Sequence, residues 1–265
     1  MADVLESILS FRKKALIETK SRIPLGDLEK EASHVPLNSI RKSLANPSSI
    51  SVIAEMKRQS PSAGMIRSSY VVEDIALAYE RGGAAALSVL TEAHHFGGDI
   101  LDIRKVRAVT KLPILRKDFI FDPYQIVESK AYGADAVLLI ADMLSLSQLK
   151  ELVECAQQYK IDTLVEVFTT DVLPGALTSG SPFIGINTRN LRTLEMNPNN
   201  VLSLSRLIPK EFCVVAESGI KTPKDIDLLK PLHVNAILVG ESLLKQENLE
   251  QAVKIMVEAG IKDES

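Results

Sequence analysis

Glu55 and Lys57 stand two residues apart at the end of the apolar run Ile50–Ala54. Side chains alternate along a strand, so a strand here points both charges to one side. Opposite charges on an inward face are costly unless they pair or meet a charged ligand. The segment therefore reads either as a structural ion pair or as part of a charged site. Ser60-Pro61-Ser62 is expected to stop the strand and to set hydroxyls beside the lysine. The pattern recurs in Leu115-Arg116-Lys117-Asp118-Phe119, Val165-Glu166-Val167, Gly185-Ile186-Asn187-Thr188-Arg189, Ala216-Glu217-Ser218-Gly219 and Val239-Gly240-Glu241-Ser242. One charged residue after an apolar run is ordinary surface; so many are not independent accidents. Lysines and carboxylates together are the parts of general acid–base chemistry. Neighbouring lysines depress one another's pKa and glutamates raise it, so the protonation states stay open.

The elements that must position these residues repeat from Ser51 onward, an apolar β-branched run followed by an amphipathic helix. Strands are expected at Val52–Glu55, Ala86–Leu90, Pro113–Arg116, Ala136–Ile140, Thr163–Val167, Phe183–Ile186, Cys213–Ala216 and Ala236–Val239. Near-continuous apolar strands alternating with helices indicate an all-parallel sheet covered by helices. Eight such units close a single (β/α)8 TIM barrel, an α/β fold. The doubly wound open sheet is disfavoured, because no Gly-x-Gly-x-x-Gly turn follows the first strand. Ahead of the barrel, residues 1–22 read as a helix broken by Pro24 and Gly26, and Asn38–Leu44 as a second short helix. Residues 1–49 are thus a helical extension and 50–265 the barrel, one domain overall.

In such a barrel the active site lies at the C-terminal strand ends, where the charged residues fall. Gly219 and Gly240 follow strands seven and eight. Backbone N–H groups there form an anion site, commonly for phosphate. Glu241 is an awkward neighbour for phosphate, so its side chain is expected to point away.

The 265 residues are 46% hydrophobic and 25% charged, with a formal net charge of -3. That balance gives no basic field for nucleic acid or membrane. No apolar run approaches the ~18 residues of a membrane span, and residues 1–20 carry no signal-peptide core. Cys155 and Cys213 read as small buried hydrophobes in a reducing, cytoplasmic compartment. His94 and His95 are expected to diverge on an extended segment, which leaves no metal site.

Several stretches together resemble the indole-3-glycerol-phosphate synthases of tryptophan biosynthesis. They are Ile53–Ser62, Leu115–Ile120, Asp122–Gln125, Gly133–Ile140, Leu164–Val167, Gly185–Leu191 and Ala216–Ile220. The resemblance implies closure of an indole ring on 1-(2-carboxyphenylamino)-1-deoxyribulose 5-phosphate, with loss of CO₂ and water and no cofactor. It implies that Lys117 is the acid for the substrate carbonyl and Glu166 the acid/base of dehydration. Lys57 contacts substrate and shares the acid role, and Glu55 and Asn187 hold the reacting groups. Arg189 and Glu217 complete the polar wall. Lys57, Ser60, Ser218, Gly219, Gly240 and Glu241 surround the phosphate and glycerol end. Phe96, Phe119, Leu138, Leu191 and Leu238 form the apolar wall for the anthranilate ring. The extension is expected to fold over the barrel top, and the chain to work as a monomer or weak oligomer. Asp99 replaces the family's usual serine after Phe96-Gly97-Gly98; aspartate caps a helix as well as serine does.

A phosphoribosylanthranilate-isomerase-like barrel would instead need a cysteine/aspartate pair at strand ends, which this chain lacks. A non-catalytic phosphometabolite-binding barrel would not need both Lys117 and Glu166.

Overall fold

The structure, a computed structural model, describes residues 3–262. Met1, Ala2 and residues 263–265, within the limits expected for the two segments, lie outside that range. Eight parallel strands close on themselves: β1 (Ser51–Met56), β2 (Ala86–Leu90), β3 (Ile114–Lys117), β4 (Ala136–Ile140), β5 (Asp162–Val167), β6 (Phe183–Asn187), β7 (Cys213–Glu217) and β8 (Ala236–Val239). β1 pairs with β2 on one side and β8 on the other, which seals the barrel. The expected strands are all present. The register places Glu166 beside Gly185 and Asn187 beside Glu217, so residues far apart in sequence line one rim. Helices such as Val72–Arg81, Pro123–Tyr132, Leu146–Gln158 and Leu249–Ala259 cover the outside.

Two apolar systems follow from strand alternation. Outward-facing side chains such as Val52, Ala54, Val137, Val165 and Ile237 pack under the helices. Inward-facing Ile53, Leu115, Ala136, Leu138, Leu164, Val215 and Leu238 fill the barrel.

The N-terminal extension is a strap with three helices, Val4–Arg22, Leu25–Ala32 and Ile40–Leu44. Leu5 and Ile8 from the first, and Ile40 and Leu44 from the third, all join the barrel-interior cluster. Ile40 and Leu44 line the space below Ile53, Ala136, Leu164, Phe183 and Val215, which closes the N-terminal end. The second helix packs sideways, with Leu28 and Ala32 against Tyr124, Val127 and Ala131. The extension therefore joins the barrel-interior cluster through its first and third helices, packs along the side with its second and plugs the bottom.

Four local expectations are corrected in whole or in part. The first helix ends at Arg22, just before Pro24 as expected, but Pro24 and Gly26 do not begin a loop: Pro24 stands at the N-cap of a further helix, Leu25–Ala32, where a fixed φ and a missing N–H cost nothing, and Gly26 lies inside it. β1 stops at Met56, before Ser-Pro-Ser, and that turn belongs to a small hairpin pairing Gln59–Ser60 with Gly64–Met65. His94 and His95 do not diverge. They sit on the short helix Ala93–Phe96, whose three N–H groups Glu92 caps, with ring centroids 4.8 Å apart. Phe11 of the strap stacks on His94 at 3.8 Å. Both cysteines are half-buried rather than buried. Among the described residues no cluster of His, Cys, Asp and Glu has the makings of a metal site, and no helix is long and apolar enough to cross a membrane.

Candidate active site

Glu55, the last residue but one of β1, faces inward, and Lys57 folds back to pair with it. Lys117, the last residue of β3, reaches across to β5 and β7: its Nζ lies 2.5 Å from Glu217 Oε2 and 3.3 Å from Glu166 Oε2. Asn187, ending β6, donates from Nδ2 to Glu166 Oε1 at 3.0 Å. The carboxylates are almost fully buried, at 3%, 2% and 1% exposure for Glu55, Glu166 and Glu217. Five strands thus contribute to one cluster of two ammonium groups, three carboxylates and an amide.

The electrostatics follow from burial and crowding. Burial pushes the Lys117 ammonium down, but Glu217, Glu166 and Glu55 outweigh it and hold its pKa above the usual lysine value. The glutamates therefore decide its protonation state, and the lysine stays a charged acid. Burial raises Glu55, yet Lys57 and Lys117 bring it below the ordinary carboxylate range. Glu217 behaves oppositely. Burial pushes it up to about 8, Lys117 opposes this, and the nearby Glu166 adds to it. Its Oε1 has no hydrogen-bond partner. That oxygen lies where a side chain on Gly185 would sit, so the strand glycine makes room for it. Gly240 does the same for Glu55, whose Oε1 lies 2.6 Å from the place of a Cβ.

The five residues assigned to the apolar wall lie in or against one cluster. Phe119, Leu138 and Leu238 belong to the barrel-interior cluster, with Phe96 and Leu191 packed against it. Phe96 and Phe119 lie 6.2 Å apart, tilted by 34°. Arg189 donates its backbone N–H to Asn187 Oδ1 and its guanidinium to the Leu194 carbonyl. At the glycine loops, Ser218 and Gly219 take left-handed φ values of 65° and 77°. A Cβ on Gly219 would fall 3.0 Å from Met196 Cε and 3.1 Å from Thr188 Oγ1 at a left-handed φ, so glycine is the residue that sits here without strain. Glu241 opens the turn Glu241–Leu244 and points to Lys245 at 2.6 Å, away from the loop as expected. Ser60 Oγ accepts the Ala63 N–H within the hairpin. Asp99 Oδ1 accepts the Leu101 N–H at the start of the helix Leu101–Val109.

Sequence reasoning missed a second ionic system behind β3. Arg116, only 1% exposed, donates to Glu128, Asp118, Thr91 and Ser129. Asp118 also receives Arg12 from the strap. The one signal was a charged residue, Arg116, inside an apolar run. A separate cavity of about 460 Å³ lies outside the barrel between Arg67, Arg81 and Glu247–Glu250. It is open, and Arg81 is already paired with Glu250 there, so the chemistry belongs to the rim cluster.

A closed eight-stranded barrel with acids and bases converging on its C-terminal rim defines the class, a (β/α)8-barrel enzyme. The family model for indole-3-glycerol phosphate synthase matches residues 5–256, and the chain belongs to that family. A relative of that description from Endomicrobium trichonymphae is 46% identical over 216 residues, covering 82% of this chain and 83% of the relative. One from Rhodopirellula baltica is 41% identical over 255 residues, covering 96% and 98%. Among solved structures, thiamine phosphate pyrophosphorylase from Pyrococcus furiosus aligns with a TM-score of 0.61 at 15% identity, covering 83% of this chain and 97% of that one. Tryptophan synthase subunit alpha from Legionella pneumophila aligns at 0.60 and 14%, covering 84% and 98%. These two speak for the barrel alone.

Proposed function

We propose that this chain closes the indole ring of 1-(2-carboxyphenylamino)-1-deoxyribulose 5-phosphate, releasing CO₂ and water, with Lys117 as the acid. The observation that carries the reading is the Lys117 ammonium paired with Glu217 and Glu166, with Glu55 close by, in a barrel whose interior cluster takes in Phe96, Phe119, Leu138, Leu191 and Leu238.

The ring carbon bearing the carboxylate attacks the ribulose carbonyl carbon, and a C–C bond forms as the carbonyl π pair takes a proton from Lys117. The C–CO₂ bond then breaks and its electron pair restores the aromatic ring. In the last step the new hydroxyl leaves as water with a proton from the site, and a base removes a proton from the adjacent carbon to complete the pyrrole. Glu166, oriented by Asn187, is placed for that exchange. Glu217 holds its proton near neutral pH and touches the same lysine, so it can return a proton to Lys117 between steps. Lys57 and Glu55 form a second acid–base pair on the β1 side. Ser218, Gly219 and Gly240, with the N–H of Glu241, cradle the phosphate. The half-buried cysteines, both free thiols, fit a reducing cytoplasm, and the substrate is a small phosphosugar–anthranilate.

The test is indole fluorescence on mixing the protein with that substrate in EDTA. Fluorescence should appear, and in Lys117→Ala its rate should fall by about 10²–10⁴-fold, the usual contribution of a positioned acid. Wild-type rates in Lys117→Ala would sink the reading.

A further inference from the structure

The inward stripe of the first strap helix is Leu5, Ile8, Arg12 and Leu16, spaced three and four residues apart. Three of the four are buried hydrophobes of the kind such a stripe requires. The fourth is a cation, and its end is not in solvent. Arg12 Nη2 donates to Asp118 Oδ2 at 2.9 Å, and its Nε lies 2.9 Å from Oδ1. Asp118 is the residue after Lys117.

We propose that Arg12 is a positioning residue for the reaction: through Asp118 it sets the turn that aims Lys117 at the rim cluster and Phe119 at the ring pocket. The inference rests on Lys117 being the acid.

Asp118 is buried on the side of β3 opposite to Lys117, and both of its oxygens accept hydrogen bonds. Oδ2 takes Thr91 Oγ1 at 2.6 Å and Arg116 Nη2 at 2.9 Å besides Arg12, while Oδ1 takes the Phe119 N–H at 2.8 Å. The aspartate is thus the knot that fixes the backbone between Lys117 and Phe119. The charges behind it balance only with the strap in place. Arg116 faces both Asp118 and Glu128, one guanidinium for two buried carboxylates, and Arg12 supplies the second cation. Burial would raise the Asp118 carboxyl, but Arg12 first and then Arg116 hold it below the usual range. Without Arg12 the remaining arginine must choose between two carboxylates in low dielectric, and the turn loses one of its anchors. A displacement of about 1 Å at a reacting group can cost on the order of 10²-fold in rate.

The experiment compares Arg12→Met, which keeps the apolar stem, with Arg12→Lys and with Lys13→Met, an exposed neighbour on the same helix. Turnover is measured well below each variant's unfolding midpoint, with kcat and KM separated and Lys117→Ala run alongside. The expected result is a kcat for Arg12→Met about 10- to 100-fold below wild type, KM within about threefold, partial recovery with millimolar guanidinium but not with sodium, and no change in Lys13→Met. Arg12→Lys should lie between, because a point charge cannot match both oxygens as a planar fork does. If Arg12→Met folds poorly, Arg12→Lys decides by itself. Wild-type kcat in the folded variants, or a loss confined to KM, overturns the inference. If Lys117→Ala is itself fully active, the functional reading has failed; if it is dead while Arg12→Met and Arg12→Lys are wild type, only the role of Arg12 has failed.

Discussion

Glu217 and Glu55 are both buried glutamates at strand ends, yet their proton affinities diverge, and the reason is the number of cations each meets. Glu55 touches Lys57 and feels Lys117, and its carboxyl lies below the ordinary value of 4.5. Glu217 shares Lys117 with Glu166 and, pushed by burial, rises to about 8. The linkage signs are opposite. Between pH 4.5 and about 8 the folded chain holds a proton on Glu217 that the unfolded chain has lost, so this group makes stability fall as pH rises through that window. Glu55 contributes stability above 4.5, which is lost as pH falls below it. Glu217→Gln should therefore flatten the decline between pH 5 and 8, which at full titration amounts to about 1.4 kcal/mol per pH unit for one proton. Denaturant midpoints measured across that range check it, and an unchanged slope in the variant would mean that Glu217 is ionised throughout. Much of this rim was readable from residue order, because strand alternation and barrel geometry force Glu55, Lys117, Glu166, Asn187 and Glu217 to one end. Their pairing was not. Nothing in the chain's order says that Lys117 lies nearer Glu217 than Glu166, since that depends on Gly185 leaving space for a carboxylate four strands from the lysine.

The strap divides its work among its helices. Its third helix, Ile40–Leu44, buries two hydrophobes in the bottom of the barrel, far from every charged rim residue. Asn38 locks it in place by donating its N–H to Asp135 Oδ1 at 2.5 Å. Ile40→Ala or Leu44→Ala should cost about 2–5 kcal/mol of stability, the range for a deleted core side chain that leaves a cavity. Their kcat should stay within about twofold of wild type, since none of the rim's lysines and glutamates lies in the bottom layer. Urea melts and initial rates at 25 °C check both halves, and a variant losing kcat while keeping its melt would place the bottom plug in communication with the rim. The third helix was legible, with Ser39 as its cap. The helix Leu25–Ala32 was not, because its only local markers, Pro24 and Gly26, are breakers in isolation and a start signal when a partner helix supplies the apolar surface. The helix Ala93–Phe96 was hidden for a similar reason: its cap is Glu92, an uncommon choice that works because three N–H groups converge on one buried carboxylate.

At the scale of the whole chain, the question is whether strap and barrel are one folding unit or two. Composition and length allow either, whereas the contacts argue for one. The strap's helices have their apolar faces inside two clusters that the barrel also needs. Polar ties cross the boundary along its full length: Arg12 to Asp118, Lys20 to Asp122, Glu31 to Arg104, Asn38 to Asp135. At the far end Ser49 bridges to Ile261, and the Ile50 N–H donates to the Gly260 carbonyl, so the last helix closes over the first strand. A strap that peeled off first would uncover both mouths of the barrel, and a sheet with its interior exposed has little left to stabilise it. Thermal unfolding is therefore expected to be a single transition with equal calorimetric and van't Hoff enthalpies. The chain supplies its own probes, since it has five tyrosines and no tryptophan. Tyr124 and Tyr159 touch the strap directly, through the Ile23 carbonyl at 2.9 Å and Glu29 at 2.8 Å. Near-ultraviolet dichroism of the tyrosines reports docking of the strap, and far-ultraviolet dichroism reports the barrel, so the two curves should superimpose. An early loss of the tyrosine signal, with the barrel's helices and strands intact, would show that residues 3–49 fold as a separate layer and that the rim chemistry depends on a docking equilibrium rather than on a fixed wall.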